Sequence, residues 1–94
     1  IIISSISIWE IGLKASKGKL VLPITLREYV ERLLRSNRFD IASVDLQTWM
    51  SNLELDWDHP DPADRTIVAT AQLHGCELIT SDQRILDFYP NAVW

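Results

Sequence analysis

Several residue types are scarce in this sequence, and each scarcity excludes a class of protein. A single cysteine, Cys76, excludes an internal disulfide framework and is typical of a reducing cytoplasm. Two histidines and one cysteine give little basis for a zinc site. No apolar run approaches the ~18–20 residues of a membrane span, and the opening residues lack the basic region of a signal peptide. We therefore expect a cytoplasmic protein without a membrane segment.

Charge and hydropathy are close to balanced. The formal net charge of −4 argues against nonspecific coating of nucleic acid. It does not argue against a metal site, because clustered carboxylates themselves make a chain acidic. Apolar residues make up 47% of the chain, which is enough for a hydrophobic core and argues against disorder. A chain of 94 residues forms at most one domain, so we expect a single domain over 1–94.

The hydrophobic pattern predicts strands that alternate with helices. Strands are expected at 1–5, 39–44, 77–80 and 92–94, and helices at 7–18, 26–34, 45–53, 64–74 and 83–88. The clearest amphipathic pattern is that of residues 26–34. Pro62 suits the start of the fourth helix, and Gly75 suits a left-handed cap at its end. The alternation predicts an α/β fold with a mainly parallel sheet flanked by helices.

Three acidic residues fall where strands end and helices begin, which is where ligands gather in an open α/β sheet. Glu10 follows the first strand, Asp64 opens the fourth helix, and Asp82 follows the third strand. Carboxylates that lie close together repel each other, so a divalent cation is a natural reason for them to stay ionised. Oxygen ligands suit Mg²⁺ or Mn²⁺, which can activate water for hydrolysis of a phosphodiester.

Each of these acids also has a purely structural interpretation. Ser7 and Glu10 have the spacing of a capping box, and Asp61 and Asp64 have the spacing of a similar arrangement. Asp82 has the position of an N-cap for the last helix. Spacing alone leaves both interpretations open.

At the same positions the sequence resembles the PIN-domain family, specifically its VapC-like toxins. Four segments carry the resemblance in order: Ser7-Ile8-Trp9-Glu10-Ile11, Lys17-Gly18-Lys19-Leu20 with Leu22-Pro23, the block from His59 to Ala71, and Leu78-Ile79-Thr80 with Asp82. The resemblance implies a PIN-like (RNase H-like) sheet. It also implies a divalent-metal-dependent endoribonuclease that acts as the toxin of a type II toxin–antitoxin system.

The resemblance further implies roles for particular residues. Glu10, Asp64 and Asp82 take the catalytic and metal-ligand positions for Mg²⁺ or Mn²⁺. Three further residues are auxiliary candidates. Asp61 would support a ligand or cap a helix, and the Thr80 hydroxyl would orient Asp82. Arg65 would pair with a cluster acid or a phosphate. The implied partners are an RNA substrate, a cognate antitoxin protein and a second copy of the chain in a homodimer.

The sequence departs from the family pattern at its N-terminus. The family's first acid belongs to a strand with an Asp-Thr pair, and no such segment precedes Ile1. We therefore expect a PIN-like domain that is incomplete at the N-terminus, without its first strand and first helices. On this expectation, residues 1–94 alone are inactive or very weak. Pro60 and Ala63 replace an Arg and a Phe of the family block, a change that touches no acid.

Two other functions stay open. A degenerate PIN-like binding module without catalysis would keep the acids as helix caps and would not be stabilised by divalent cations. A flavodoxin-like receiver domain would need paired acids after the first strand and a lysine late in the chain. The final third of the chain contains no lysine, which counts against the receiver domain.

The aromatic residues and histidines are predicted to be structural. Trp9, Trp49 and Trp94 are expected in the core, because they fall on apolar faces or strand ends. Trp57 lies between two aspartates and is expected to be exposed. His59 lies near the predicted site, but a metal-bound water needs no imidazole base, so we leave His59 out of the catalytic set.

Overall fold

The structure is a computed structural model that describes all 94 residues. Helices and strands alternate along the chain, and none of the helices is both long enough and apolar enough to cross a membrane. The elements are β1 (Ile2–Ser4), α1 (Ser5–Ser16), α2 (Leu26–Arg35), β2 (Asp40–Ala42), α3 (Leu46–Glu54), α4 (Pro62–His74), β3 (Leu78–Ile79), α5 (Gln83–Phe88) and β4 (Ala92–Val93). The chain divides into two compact units, unit 1 (Ile1–Ser43) and unit 2 (Val44–Trp94).

Unit 1 contains a parallel pair of strands, β1 and β2, in which Ile3 lies opposite Ile41. Parallel strands need a long crossover connection, and here the crossover contains α1 and α2. The two helices approach closely at Gly12, where an added Cβ would lie 2.8 Å from Leu26 Cδ2. Ser4 is the single buried residue of the unit, and its apolar side chains are half-buried or exposed.

Helix α1 begins two residues earlier than the sequence predicts. The side chain of Ser4 accepts a hydrogen bond from the Ile6 backbone N–H at 3.3 Å, which makes Ser4 the N-cap. Ser7 therefore lies inside the helix, and its interpretation as half of a capping box with Glu10 is wrong. Glu10 lies half-buried in the second turn of α1.

Unit 2 contains the buried hydrophobic core. Its strands β3 and β4 are also parallel, with Leu78 opposite Ala92. The centre of the core consists of Val68, Ala71, Ile85 and Tyr89, and five half-buried side chains pack against it: Leu55, Trp57, Leu78, Phe88 and Ala92. The parallel pairing in both units agrees with the predicted α/β fold, although the strands form two separate two-stranded sheets.

Helix α3 packs against α4 through a polar surface. Thr48 and Asn52 are its buried residues, and Asn52 Nδ2 donates a hydrogen bond to Thr66 Oγ1 at 2.9 Å. The N-cap is Asp45, whose Oδ1 accepts hydrogen bonds from the Thr48 N–H and hydroxyl at 2.9 and 2.8 Å. These bonds hold the pKa of Asp45 below its usual value. The apolar residues of α3 are exposed: Leu46, Trp49, Met50 and Leu53.

The prediction for the tryptophans is wrong. Trp9, Trp49 and Trp94 are exposed, with 59%, 42% and 84% of their surface accessible. Trp57, expected to be exposed, is half-buried and stacks on Phe88 with ring centroids 4.6 Å apart. Trp9 is exposed because it lies on α1, which has no buried residue, and Trp94 follows a strand of two residues. Trp57, in contrast, lies in a loop that packs against the core.

Candidate active site

Helix α4 begins after a loop of prolines and acids, and its start carries two of the predicted site residues. Asp61 is the N-cap, and its Oδ1 accepts hydrogen bonds from the N–H groups of Ala63 and Asp64 at 2.8 and 3.2 Å. Pro62 occupies the first helical position, where its missing N–H is not needed. Gly75 ends the helix in the left-handed conformation with φ of 61°. Pro62 at the first position and the Gly75 cap therefore match the sequence prediction, although the helix begins two residues before the expected Asp64.

Asp64 lies in the first turn of α4, where the positive end of the helix dipole favours a carboxylate. Its Oδ2 lies 2.7 Å from Nε2 of His59. The two side chains are largely shielded from water, with 10% of His59 and 23% of Asp64 exposed. A hydrogen bond in such surroundings is stronger than one in bulk water. The carboxylate of Asp64 therefore has a defined orientation.

The other ring nitrogen of His59 faces α5. Nη1 of Arg84 lies 2.7 Å from Nδ1 of His59. The N-cap of α5 is Asp82, whose Oδ1 accepts a hydrogen bond from the Arg84 N–H at 2.9 Å. The Asp82 N–H in turn donates to Oγ1 of Thr80 at 3.0 Å. The Thr80 hydroxyl thus shapes the turn through the backbone of Asp82 and not through its carboxylate.

The guanidinium of Arg65 holds together the loop between α3 and α4. Its Nε donates to Oδ1 of Asn52 at 3.3 Å. Its two terminal nitrogens donate to four backbone carbonyls, those of Asn52, Leu55, Trp57 and His59. An arginine has five N–H donors, so all of them are used at the end of α3 and in the loop that follows it. The structure therefore directs Arg65 to the backbone that carries His59, and not to the carboxylate of a cluster acid.

Three side chains form one cluster at the start of α4. A ring nitrogen of His59 and carboxylate oxygens of Asp61 and Asp64 all lie within 4.8 Å of one another. Asp61 uses Oδ1 for its caps and Asp64 uses Oδ2 for His59, so each keeps a second oxygen without a hydrogen bond. Asp82 likewise uses only Oδ1. Carboxylate oxygens are ligands for hard cations, so this donor set fits Mg²⁺ or Mn²⁺.

The predicted ligands have different places in the structure. Asp64 belongs to the cluster, together with the auxiliary candidate Asp61. Asp82 lies outside the cluster but is linked to it through Arg84, whose N–H binds Asp82 while its side chain contacts His59. Glu10 lies on α1 and is part of unit 1.

An open cleft of about 480 Å³ lies beside the cluster in unit 2. Its lining consists of Trp57, Asp58, His59, Pro60, Arg84 and Asp87. The indole of Trp57 stacks on Phe88 and also lies 4.9 Å, centroid to centroid, from the imidazole of His59. The cleft therefore places an aromatic surface, a cation and carboxylates next to the His59–Asp64 pair.

His59 was expected near the site but left out of the catalytic set, and Arg84 was not predicted to contact it. A signal for His59 is present in the sequence, since it stands two residues before Asp61 and five before Asp64 in one short motif. No local signal identifies Arg84, because its contact with His59 joins residues 25 positions apart. That contact depends on the packing of α5 and is not encoded in any short spacing.

Comparison with known proteins identifies the family. A family model described as PIN domain matches residues 1–89, which is nearly the whole chain. PIN domains are generally nucleases that act on nucleic acids, and they typically bind divalent metals. No curated protein and no solved structure was found to match the chain. The extent of the family match establishes that this chain belongs to the PIN-domain family.

Proposed function

We propose that this protein is a divalent-metal-dependent endoribonuclease that hydrolyses RNA phosphodiester bonds. The observation that carries the proposal is the cluster at the start of α4. There, Asp61 and Asp64 lie within 4.8 Å of each other and of His59, and each retains an unused carboxylate oxygen. A divalent cation bound at Asp64 would also offset the negative charge of the neighbouring Asp61.

Three carboxylates are the proposed metal ligands: Glu10, Asp64 and Asp82. Mg²⁺ or Mn²⁺ bound there would activate a water molecule and neutralise charge that develops on the phosphate. Support for Asp64 comes from the cluster, and support for Asp82 comes from its free second oxygen and its link to His59 through Arg84. Support for Glu10 comes from its place in the family motif.

The remaining candidates act by holding these carboxylates in place. Asp61 fixes the first turn of α4 by capping it, and this fixes the backbone from which Asp64 projects. Thr80 does the same for the turn that ends at Asp82. Arg65 fixes the loop that carries His59. All three are therefore auxiliary residues that limit how far the ligands move.

RNA cleavage in three conditions tests the catalytic proposal. The full-length product of the gene that encodes these residues is incubated with RNA in Mn²⁺, in EDTA, and in Mn²⁺ with Asp64→Asn or Asp82→Asn. Asparagine keeps the N-cap at position 82 and still accepts a hydrogen bond from His59 at position 64, so both variants should fold. We expect EDTA to abolish cleavage and each substitution to reduce it more than ~100-fold, beyond the ~10–100-fold of an outer-shell change.

Asp56→Asn provides the matched control for this experiment. Asp56 is exposed and lies outside the cluster, so its replacement should leave cleavage unchanged. Absence of cleavage with every RNA tested, together with a melting temperature indifferent to Mn²⁺, would overturn the proposal. That result would favour a degenerate PIN-like binding module in which Asp61 and Asp82 serve as helix caps.

The biological role in the proposal is that of a cytoplasmic toxin in a type II toxin–antitoxin pair. Its support is the resemblance of the motifs around Glu10, Asp64 and Asp82 to VapC-like toxins. The role predicts growth arrest when the protein is expressed alone in bacteria, and relief by co-expression of an antitoxin encoded next to it. Asp64→Asn should abolish the arrest. Light scattering of the purified protein tests the homodimer that the same resemblance implies.

A further inference from the structure

The imidazole of His59 bridges the two helices of unit 2 that carry predicted metal ligands. Its Nε2 lies 2.7 Å from Oδ2 of Asp64 on α4. Its Nδ1 lies 2.7 Å from Nη1 of Arg84 on α5, the helix capped by Asp82. Both ring nitrogens are therefore engaged, and neither is available to a metal ion or a substrate.

The partner on Nδ1 determines where the imidazole proton is. A guanidinium has only N–H donors and remains protonated in proteins. The contact between Arg84 Nη1 and His59 Nδ1 is a hydrogen bond only if Nδ1 carries a lone pair and accepts. In the neutral ring the proton must then be on Nε2, which faces the Asp64 carboxylate and donates to it.

The surroundings of His59 restrict motion of the ring. Its own backbone carbonyl accepts a hydrogen bond from Arg65 Nη1 at 3.1 Å. The indole of Trp57 lies 4.9 Å from the imidazole at an interplanar angle of 59°, and 10% of the His59 side chain is exposed. Arg65 thus holds the backbone of His59, and Trp57 limits the movement of its ring. A donor held this firmly can orient the carboxylate that accepts from it.

We propose that His59 is a positioning residue that donates from Nε2 to Oδ2 of Asp64 and leaves Oδ1 to face the cation, with Arg84 fixing the tautomer that makes this possible. The inference rests on the proposed metal-dependent function. Ligating carboxylates are commonly held by a hydrogen bond to their second oxygen, and loss of such a partner weakens metal binding by ~10–100-fold. Arg84 also joins Asp82 to the same network through its backbone N–H.

A spectroscopic experiment tests the tautomer without any metal. The two histidines of residues 1–94 are observed in long-range ¹H–¹⁵N correlation spectra of the full-length protein, and His59→Leu and His74→Leu assign their signals. We expect His59 to show a protonated Nε2 and an unprotonated Nδ1. In Arg84→Met the preference should weaken and a mixture of tautomers should appear. A proton on Nδ1 of His59 in the unchanged protein would overturn the assignment.

Calorimetric titration with Mn²⁺ tests the positioning role in the full-length protein. We expect His59→Leu to bind Mn²⁺ ~10–100-fold more weakly and Arg84→Met to show a smaller loss in the same direction. His59→Gln, whose amide both donates and accepts, should restore most of the affinity. His74→Leu is the matched control, because His74 is exposed at the other end of α4. This variant should bind Mn²⁺ as tightly as the unchanged protein does. Cleavage assays should show the loss in kcat and not in KM.

The outcomes separate the inference from the function on which it rests. If the unchanged protein binds Mn²⁺ and His59→Leu binds it as tightly as His74→Leu, the positioning role is wrong and the proposed function stands. If the unchanged protein binds no Mn²⁺ and cleaves no RNA, both are wrong. Should His59→Leu fail to fold, Arg84→Met decides the question, because Arg84 is exposed and its removal leaves no cavity in the core.

Discussion

The two compact units contain similar secondary structure but differ in what they bury. Each has one parallel pair of short strands, and each has at least two helices. The buried hydrophobic residues all lie in unit 2: Ala63, Val68, Ala69, Ala71, Ile85 and Tyr89. Unit 1 buries Ser4 and no hydrophobic residue. The side-chain network of His59, Asp64 and Arg84 also belongs to unit 2.

This difference shows that an amphipathic pattern predicts a helix without predicting its burial. Helix α2 has the clearest apolar stripe in the sequence, yet it contains no buried residue. Helix α4 has a less regular face that mixes threonine and alanine with valine, yet six of its residues are buried. Small residues allow close packing of α3 against α4, and hydrogen bonds such as that from Asn52 to Thr66 satisfy the polar atoms.

Replacing Arg65 should have the largest effect on stability. Arg65→Met removes a donor from five acceptors at the end of α3 and in the following loop. The Asn52 carbonyl keeps the Leu55 N–H as a second donor, but acceptors that lose their partner while shielded from water are costly. We expect the free energy of unfolding to fall by about 3 kcal/mol. Urea unfolding measures it, with Arg32→Met on the exposed surface of α2 as the control, for which we expect less than ~0.5 kcal/mol. Equal effects at both positions would show that the loop does not depend on Arg65.

The same valine-to-alanine substitution made in each unit tests the difference in burial directly. Val68 is fully buried on α4, and Val30 is half-buried on α2. Val68→Ala should cost about 2 kcal/mol, because it loses transfer free energy and leaves a cavity. Val30→Ala should cost less than ~1 kcal/mol, since less apolar area is lost. Amide hydrogen exchange, followed separately in α2 and α4, locates each loss. A larger loss for Val30→Ala would contradict the assignment of the core to unit 2.

Local features were predictable from the sequence, and long-range contacts were not. The start of α2 at Leu26, the bounds of α5, and the ends of α4 at Pro62 and Gly75 follow from caps and spacing within a few residues. The Asp61 cap is equally local. The burial of tryptophans, the partners of Arg65 and the contact from Arg84 to His59 depend on how distant segments pack. For the candidate site, the sequence therefore predicted the carboxylates but not the side chains of His59 and Arg84 that lie around them.

Helix caps should have similar effects in the two units, because capping depends on local geometry. Asp61 caps α4 and Thr25 caps α2, each by accepting a backbone hydrogen bond. Asp61→Ala and Thr25→Ala should each lower the free energy of unfolding by about 1 kcal/mol. Urea unfolding in EDTA measures both, which excludes a contribution from metal binding at Asp61. A cost confined to Asp61→Ala would mean that the units differ in their local structure as well as in their cores.

The smallest expected effect is a pH dependence at the start of α3. Two hydrogen bonds from Thr48 lower the pKa of Asp45 in the folded state. The ionised carboxylate therefore stabilises the folded state above the unfolded pKa of ~3.9, and this contribution is lost as pH falls through the lower folded-state pKa. In Asp45→Asn the cap is kept but the titration is removed, so stability should fall less steeply between pH ~5 and ~2. Urea midpoints across this range measure the difference.

Asp56→Asn, at an exposed residue outside any cap, should keep the original slope. Parallel curves for Asp45→Asn and the unchanged protein would show that the Thr48 bonds do not favour the ionised form, and the cap of α3 would then act through its geometry alone.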